Sequence, residues 1–313
     1  METSVDYKRY LDPKVLAKIS GLDLRARLLV EGYFSGLHRS PYCGASVEFA
    51  DYRQYVQGDD FRHIDWKVYA RTDKHYIKEY EQETNLTCLL VVDCSESMSY
   101  QSDNAPMSKH DYATSVAAAL AYLALRQQDS VGLVLFDERI TQYIRPSNHR
   151  AHWKTLVREL VGATGPGKTS VRNVLDDVAE RAGRRSMVVL ISDLFDDGAE
   201  ILTGLQHLRY RRNEVLVFNV LDPAELSFPF AGPTRFEGLE ATDTLLTEPR
   251  LLRQRYLAEI DRFVAGLRRG CRDMQIDYEL FDTAGALDAA ISAYLATRSA
   301  SIRHRASRVL GRR

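Results

Sequence analysis

The chain lacks any apolar run that reaches the roughly 18 residues of a membrane-crossing helix. Cysteine is scarce. The four cysteines, at positions 43, 88, 94 and 271, form no Cys-x-x-Cys pair, and Cys88 sits inside an apolar segment. That spacing argues against a zinc site and against a disulfide framework, and it fits a reducing compartment. Residues 1–10 are charged and carry no apolar core of a signal peptide. A soluble, cytoplasmic protein is therefore expected. An excess of one charge is missing too: 42 Lys and Arg against 43 Asp and Glu leave a net charge of −1. Overall electrostatics thus give no case for a nucleic-acid partner or an anionic membrane. Repeats and low-complexity tracts are absent as well. What remains is a chain with 45% hydrophobic and 27% charged residues, enough to build a large core and too apolar for global disorder.

One stretch organises the rest. Residues 86–93 run Leu-Thr-Cys-Leu-Leu-Val-Val-Asp, and Ser95 and Ser97 follow at alternate positions. A continuous apolar run closed by polar residues predicts a strand buried on both faces. The polar cluster then falls at the strand's carboxyl end, where open α/β sheets bind ligands. Asp93, Ser95 and Ser97 offer a carboxylate and two hydroxyls, hard oxygen donors that suit Mg²⁺ or Mn²⁺ rather than zinc.

Before this stretch, residues 12–36 read as helix, opened by Asp12-Pro13 and striped by Val15, Leu16, Ile19, Leu24, Leu28 and Leu29. Residues 37–84 alternate aromatics with charges of both signs and carry no sustained apolar period. Residues 1–84 are thus expected to form a helical, aromatic-rich extension packed on the body. From 86 onwards strands and helices alternate, which predicts a mainly parallel sheet with helices on both faces. Helices are expected at 109–127, 149–161, 171–182, 199–210, 250–269 and 285–297, and strands at 130–136, 187–192, 214–221 and 276–281, with Arg139–Ile144 as an antiparallel edge strand. Four of the nine prolines fall in 222–249, an irregular excursion within a body that spans 85–297. A basic tail, 298–313, follows.

Several words in fixed order then become specific: Glu48-Phe49-Ala50-Asp51-Tyr52-Arg53, Gly58-Asp59-Asp60, Arg62-His63-Ile64-Asp65-Trp66-Lys67, Ala70-Arg71-Thr72, and Asp93-x-Ser95-x-Ser97-Met98. The chain resembles the bacterial domain-of-unknown-function family fifty-eight, in which an uncharacterised segment is joined to a von Willebrand factor A-like fold. The resemblance implies a doubly wound, mainly parallel six-stranded sheet with helices on both faces. It implies a metal-ion-dependent adhesion site completed by Thr169 and Asp193. The family's usual Gly-Gly-Thr is Gly167-Lys168-Thr169 here, so Lys168 sets a cation beside the expected metal. The resemblance also implies a partner, a MoxR-type AAA+ ATPase, and a chaperone-like role in the assembly or maturation of client complexes. Arg53, Asp59, Asp60, Arg62, Asp65 and Arg71 are the polar residues of a second candidate docking surface.

The chemistry expected of Asp93, Ser95, Ser97, Thr169 and Asp193 is a binding chemistry. Two carboxylates formally neutralise a divalent ion, and neutral hydroxyls leave it electron-poor. An Asp or Glu from a client protein would then complete its coordination. No adjacent residue has the makings of a general base, so a non-enzymatic interaction module is expected. The rival reading is a nucleotide-using enzyme, since Gly162-x-x-x-x-Gly167-Lys168-Thr169 matches the P-loop pattern. A P-loop follows a buried strand, whereas a helical stripe, Trp153 to Leu160, precedes this one. A dehalogenase-type phosphatase needs a second aspartate where Ser95 stands.

Overall fold

A computed structural model describes residues 21–37, 52–54, 76–78, 86–163, 170–183, 185–237 and 244–297. Two compact units divide the chain, one comprising 1–36 with 85–313 and the other 37–84. In the smaller unit, β1 (Tyr52–Gln54) pairs antiparallel with β2 (Tyr76–Lys78), with Arg53 opposite Ile77.

Among the described residues, helix α1 (Leu22–Leu37) comes first, and the larger unit continues through β3 (Thr87–Asp93) and a 3₁₀ turn (Glu96–Ser99) into α2 (Lys109–Arg126). Then come β4 (Ser130–Phe136), β5 (Ile140–Ser147), α3 (His152–Val161), α4 (Val171–Arg181), β6 (Met187–Ser192), α5 (Gly198–Tyr210) and β7 (Glu214–Leu221). A short helix α6 (Pro223–Ser227) and a hairpin of β8 (Thr234–Glu237) and β9 (Thr244–Thr247) occupy the excursion. The long helix α7 (Pro249–Asp273), strand β10 (Asp277–Asp282) and helix α8, over 288–297, follow.

The six long strands form one sheet in the order β10-β7-β6-β3-β4-β5. All neighbours are parallel except β4 and β5. The inner strands are nearly continuous Val, Leu and Ile because both of their faces are covered. Alternation along β3 divides the core. Cys88, Leu90 and Val92 pack with residues of α1, α2, α3 and α8, while Leu89 and Val91 pack with those of α4, α5 and α7. Truncating one such leucine to alanine costs about 2–5 kcal/mol. Helix α2 is buried almost all round, and its alanines at 113, 117, 118, 119, 121 and 124 let it lie close to the sheet.

The expected edge strand runs three residues further than the sequence indicates, to Ser147, and includes Pro146. Pairing slips between Val131–Ser147 and Leu133–Ile144, a bulge. Gly132 faces it, and a side chain there would lie 2.9 Å from the Ile144 carbonyl oxygen and 3.0 Å from Pro146. Proline is tolerated in an outer strand at such an irregularity because no ladder bond needs its missing N–H.

The order reverses at the centre. From β3 the chain steps outward to β4 and β5, then returns to β6 on the other side of β3. The crevice at the carboxyl ends of β3 and β6 is therefore the topological switch point of the sheet, the usual ligand position in open α/β folds.

Candidate functional site

Two aspartates sit at this switch point for the same local reason. Each follows an apolar strand and bends the chain by accepting a backbone N–H two residues on. Asp93 Oδ1 accepts from Ser95 N at 2.9 Å, and Asp193 Oδ1 accepts from Phe195 N at 3.2 Å. Short polar side chains commonly make such turns. The second turn includes Leu194, a fully buried leucine with left-handed backbone, φ 57°. A non-glycine residue held there is strained, and such strain is retained where surrounding structure fixes it.

The two turns are tied together. Val92 of β3 lies beside Ile191 of β6, so the next residues, Asp93 and Ser192, are neighbours. Ser192 Oγ donates to Asp93 Oδ2 at 2.6 Å and accepts from Leu194 N at 2.9 Å. Both aspartates are completely buried. Burial, and then the charge of Asp193, push the Asp93 carboxyl up to about 7, against hydrogen bonds from Ser192 and Ser95 that pull it down. The serine hydroxyls complete the cluster: Ser95 Oγ and Ser97 Oγ lie 3.1 Å apart and share a hydrogen bond. Asp93, Ser95, Ser97 and Asp193 are thus brought to one crevice.

A side chain not foreseen in the sequence enters the same crevice. Lys109, the first residue of α2, is 1% exposed, and its Nζ donates to Asp193 Oδ2 at 2.8 Å and to Glu225 Oε1 at 2.7 Å. The rings of Phe195 and Tyr100 face the ammonium at 4.8 and 5.9 Å. Burial opposes its charge, yet Asp193 and Glu225 more than offset this and hold the lysine pKa above its ordinary value. Glu225 belongs to a capping box on α6. Its Oε2 accepts from Asp222 N at 2.7 Å, while Asp222 accepts from Ala224 N at 2.8 Å and from Ser102 N at 2.9 Å. Local signals for these residues exist. Asp222-Pro223-x-Glu225 is a capping-box sequence, and a lysine in a first helical turn opposes the helix dipole, so it needs an anionic partner elsewhere.

Thr169 and Lys168 lie outside the described residues, as do Asp59, Asp60, Arg62, Asp65 and Arg71. Arg53 is placed by its backbone on β1, in the smaller unit. The residues that follow Thr169 are anchored at the carboxyl rim. Ser170 N donates to the Asp137 carbonyl at 3.4 Å, and Val171 N donates to Asp196 Oδ2 at 2.9 Å. The glycine-rich loop leaves helix α3 at Gly162 and is followed by α4.

The donors fit a small divalent cation by their chemistry. Two carboxylates and two hydroxyls supply hard oxygens, the donor type that Mg²⁺ and Mn²⁺ take. Among the described residues, no three His, Cys, Asp or Glu side chains converge as a metal cluster, so the serines are essential to such a set. Cys94 has its thiol pushed up to about 12 by burial and by Asp93, which makes it a filler rather than a nucleophile.

The sheet order, the antiparallel edge strand and the Asp-x-Ser-x-Ser turn after the first long strand define a von Willebrand A-like α/β domain. The chain belongs to the family described as protein of unknown function DUF58, whose model matches residues 51–263. Uncharacterised proteins of Mycobacterium tuberculosis and Mycobacterium bovis are each 29% identical over 237 residues, covering 74% of this chain and 72% of theirs. Among solved structures, similarity extends to the conserved hypothetical protein BatB of Bacteroides thetaiotaomicron, with 12% identity, a TM-score of 0.48, and coverage of 70% of this chain and 99% of that one. An aerotolerance-related membrane protein of Bacteroides fragilis, carrying multiple mutations to serine, gives 14% identity and a TM-score of 0.49 over 68% of this chain and 99% of its own. No helix among the described residues of the present chain is long and apolar enough to cross a membrane.

Proposed function

We propose that this protein is a non-enzymatic, metal-dependent protein-interaction module. The observation that carries the reading is the pairing of two wholly buried aspartates at adjacent strand ends with two serine hydroxyls 3.1 Å apart. Asp93, Ser95, Ser97 and Asp193, with Thr169, would hold Mg²⁺ or Mn²⁺. The bound ion supplies a Lewis-acidic position for an outside carboxylate. The chain's own contribution is to fix the donors: β3 and β6 place the aspartates, and Ser192 locks one to the other. Nothing in this arrangement needs turnover. A client protein presents an Asp or Glu to the ion, and a MoxR-type AAA+ ATPase is the partner that couples this capture to assembly or maturation of the client complex.

Calorimetric titration with Mg²⁺ and with Mn²⁺ tests the first step. Saturable binding by the wild type and its loss in Asp93→Ala are expected; no binding by the wild type, or equal binding by both, overturns the reading. Binding of a purified MoxR-type ATPase, compared in Mg²⁺ and in EDTA, tests the second, and association indifferent to EDTA removes the metal from it.

A further inference from the structure

Among the described residues, the Lys109 ammonium is the cation in contact with Asp193, and it is built into the fold rather than acquired. It is 1% exposed and contacts two carboxylates that come from different strand ends: Asp193 after β6, and Glu225 in α6 after β7. With Asp193 Oδ1 accepting Phe195 N and Oδ2 accepting Lys109 Nζ, both oxygens of this carboxylate already have donors. A divalent ion and the ammonium therefore draw on the same negative charge, and like charges brought together in a buried site repel strongly.

The geometry points to Lys109 as a tethered cation that competes with the divalent metal for Asp193, keeping metal affinity low and metal occupancy conditional. Glu225 is its second anchor. When a metal draws Asp193 away, the ammonium keeps one carboxylate, so the exchange leaves no bare buried charge. The segment Asp222–Ser227 would then register occupancy, because Glu225 also caps α6 through the Asp222 N–H. This inference rests on the reading of the aspartate pair as a divalent-cation site. It differs from a purely structural role for Lys109, since a structural post that positions Asp193 would help the metal bind.

The test is metal titration of the full chain in three forms: wild type, Lys109→Met, and Lys109→Met with Glu225→Gln. Methionine keeps an unbranched apolar stem, one atom shorter than the lysine. The double variant removes the ammonium and its second carboxylate together, so that folding is not burdened by an unpaired Glu225, and circular dichroism verifies that both variants fold. Mn²⁺ and Mg²⁺ are the probes. Removing a unit charge from the immediate surroundings of the ion should tighten binding by on the order of tenfold to a hundredfold in Lys109→Met. The double variant should also bind more tightly than wild type, by a smaller factor. Binding no tighter than wild type in whichever variants fold overturns the competition while leaving the metal site standing. Absence of binding in all three forms overturns both readings. Binding only when Lys109 is removed supports the competition but overturns a metal-dependent function for the wild-type chain.

Discussion

Ser192 donates to Asp93 across the central strand pair at 2.6 Å, and the same oxygen accepts the Leu194 N–H. One hydroxyl thus satisfies a buried carboxylate and a strained turn at once. Ser192→Ala leaves an acceptor and a donor unpaired in a dry site, and each such loss costs about 1–3 kcal/mol. A lowered urea midpoint with unchanged slope is the expected result. A midpoint equal to wild type would mean that water replaces the hydroxyl.

Asp222 ties the 3₁₀ region to α6. It is fully buried, and its two oxygens take the N–H groups of Ala224 and of Ser102, the latter 120 positions away along the chain. Asp222→Ala should cost about 2 kcal/mol or more, combining loss of a cap with a buried unpaired donor. Asp222→Asn retains one oxygen and should fall between alanine and wild type. Chemical denaturation of the three forms measures the order.

His110 predicts a pH dependence. Burial pushes its pKa below the ordinary 6.5, outweighing the opposing pull of Asp111 and of a backbone hydrogen bond with Ala163. Its Nε2 meets no hydrogen-bond partner among the described residues. Below 6.5 the unfolded chain takes up a proton that the folded chain still refuses, so the unfolded state binds more protons and stability falls as pH falls. The fall ends once the folded histidine also titrates. Comparing denaturation midpoints at about pH 5.5 and about pH 7.5 should show the loss in wild type and a smaller one in His110→Gln.

Gly204 on α5 permits close approach to α4. A Cβ there would lie 2.9 Å from Leu175 Cβ and 3.5 Å from Arg172 Cα, neither of which is the free end of a side chain. Gly204→Ala should destabilise by about 1–3 kcal/mol through overpacking, despite the roughly 1 kcal/mol of helix propensity that alanine adds. Leu175→Ala removes the Cδ1 that would lie 3.0 Å from the added methyl, so it should cost less in this background than alone, a non-additivity expected of touching residues.

Much of this architecture was legible in the chain itself. The runs 88–92 and 187–191, which lead to Asp93 and Asp193, are apolar throughout because their strands are covered on both sides. The alternation of strand and helix fixes the doubly wound sheet. The ion network was not legible. Lys109 meets Asp193 and Glu225 across separations of 84 and 116 residues, and sequence periodicity carries no information about such pairings. A lysine at a helix start reads as a solvated first-turn residue, and the excursion that supplies Glu225 reads as irregular. The sequence directs attention to Lys168, which lies outside the described residues, as a competing cation; among the described residues the lysine at Asp193 is Lys109.

The sheet's two borders are chemically unequal. At β5, Pro146 and the bulge opposite Gly132 interrupt the outward row of main-chain donors, so a foreign strand finds no regular template there. β10 is parallel to β7, its one neighbour among the described strands, and carries Asp277, Glu279 and Asp282. Acidic side chains on that margin repel an identical copy while remaining open to a basic segment, so fibrous self-stacking is disfavoured at both ends of the sheet by unrelated means.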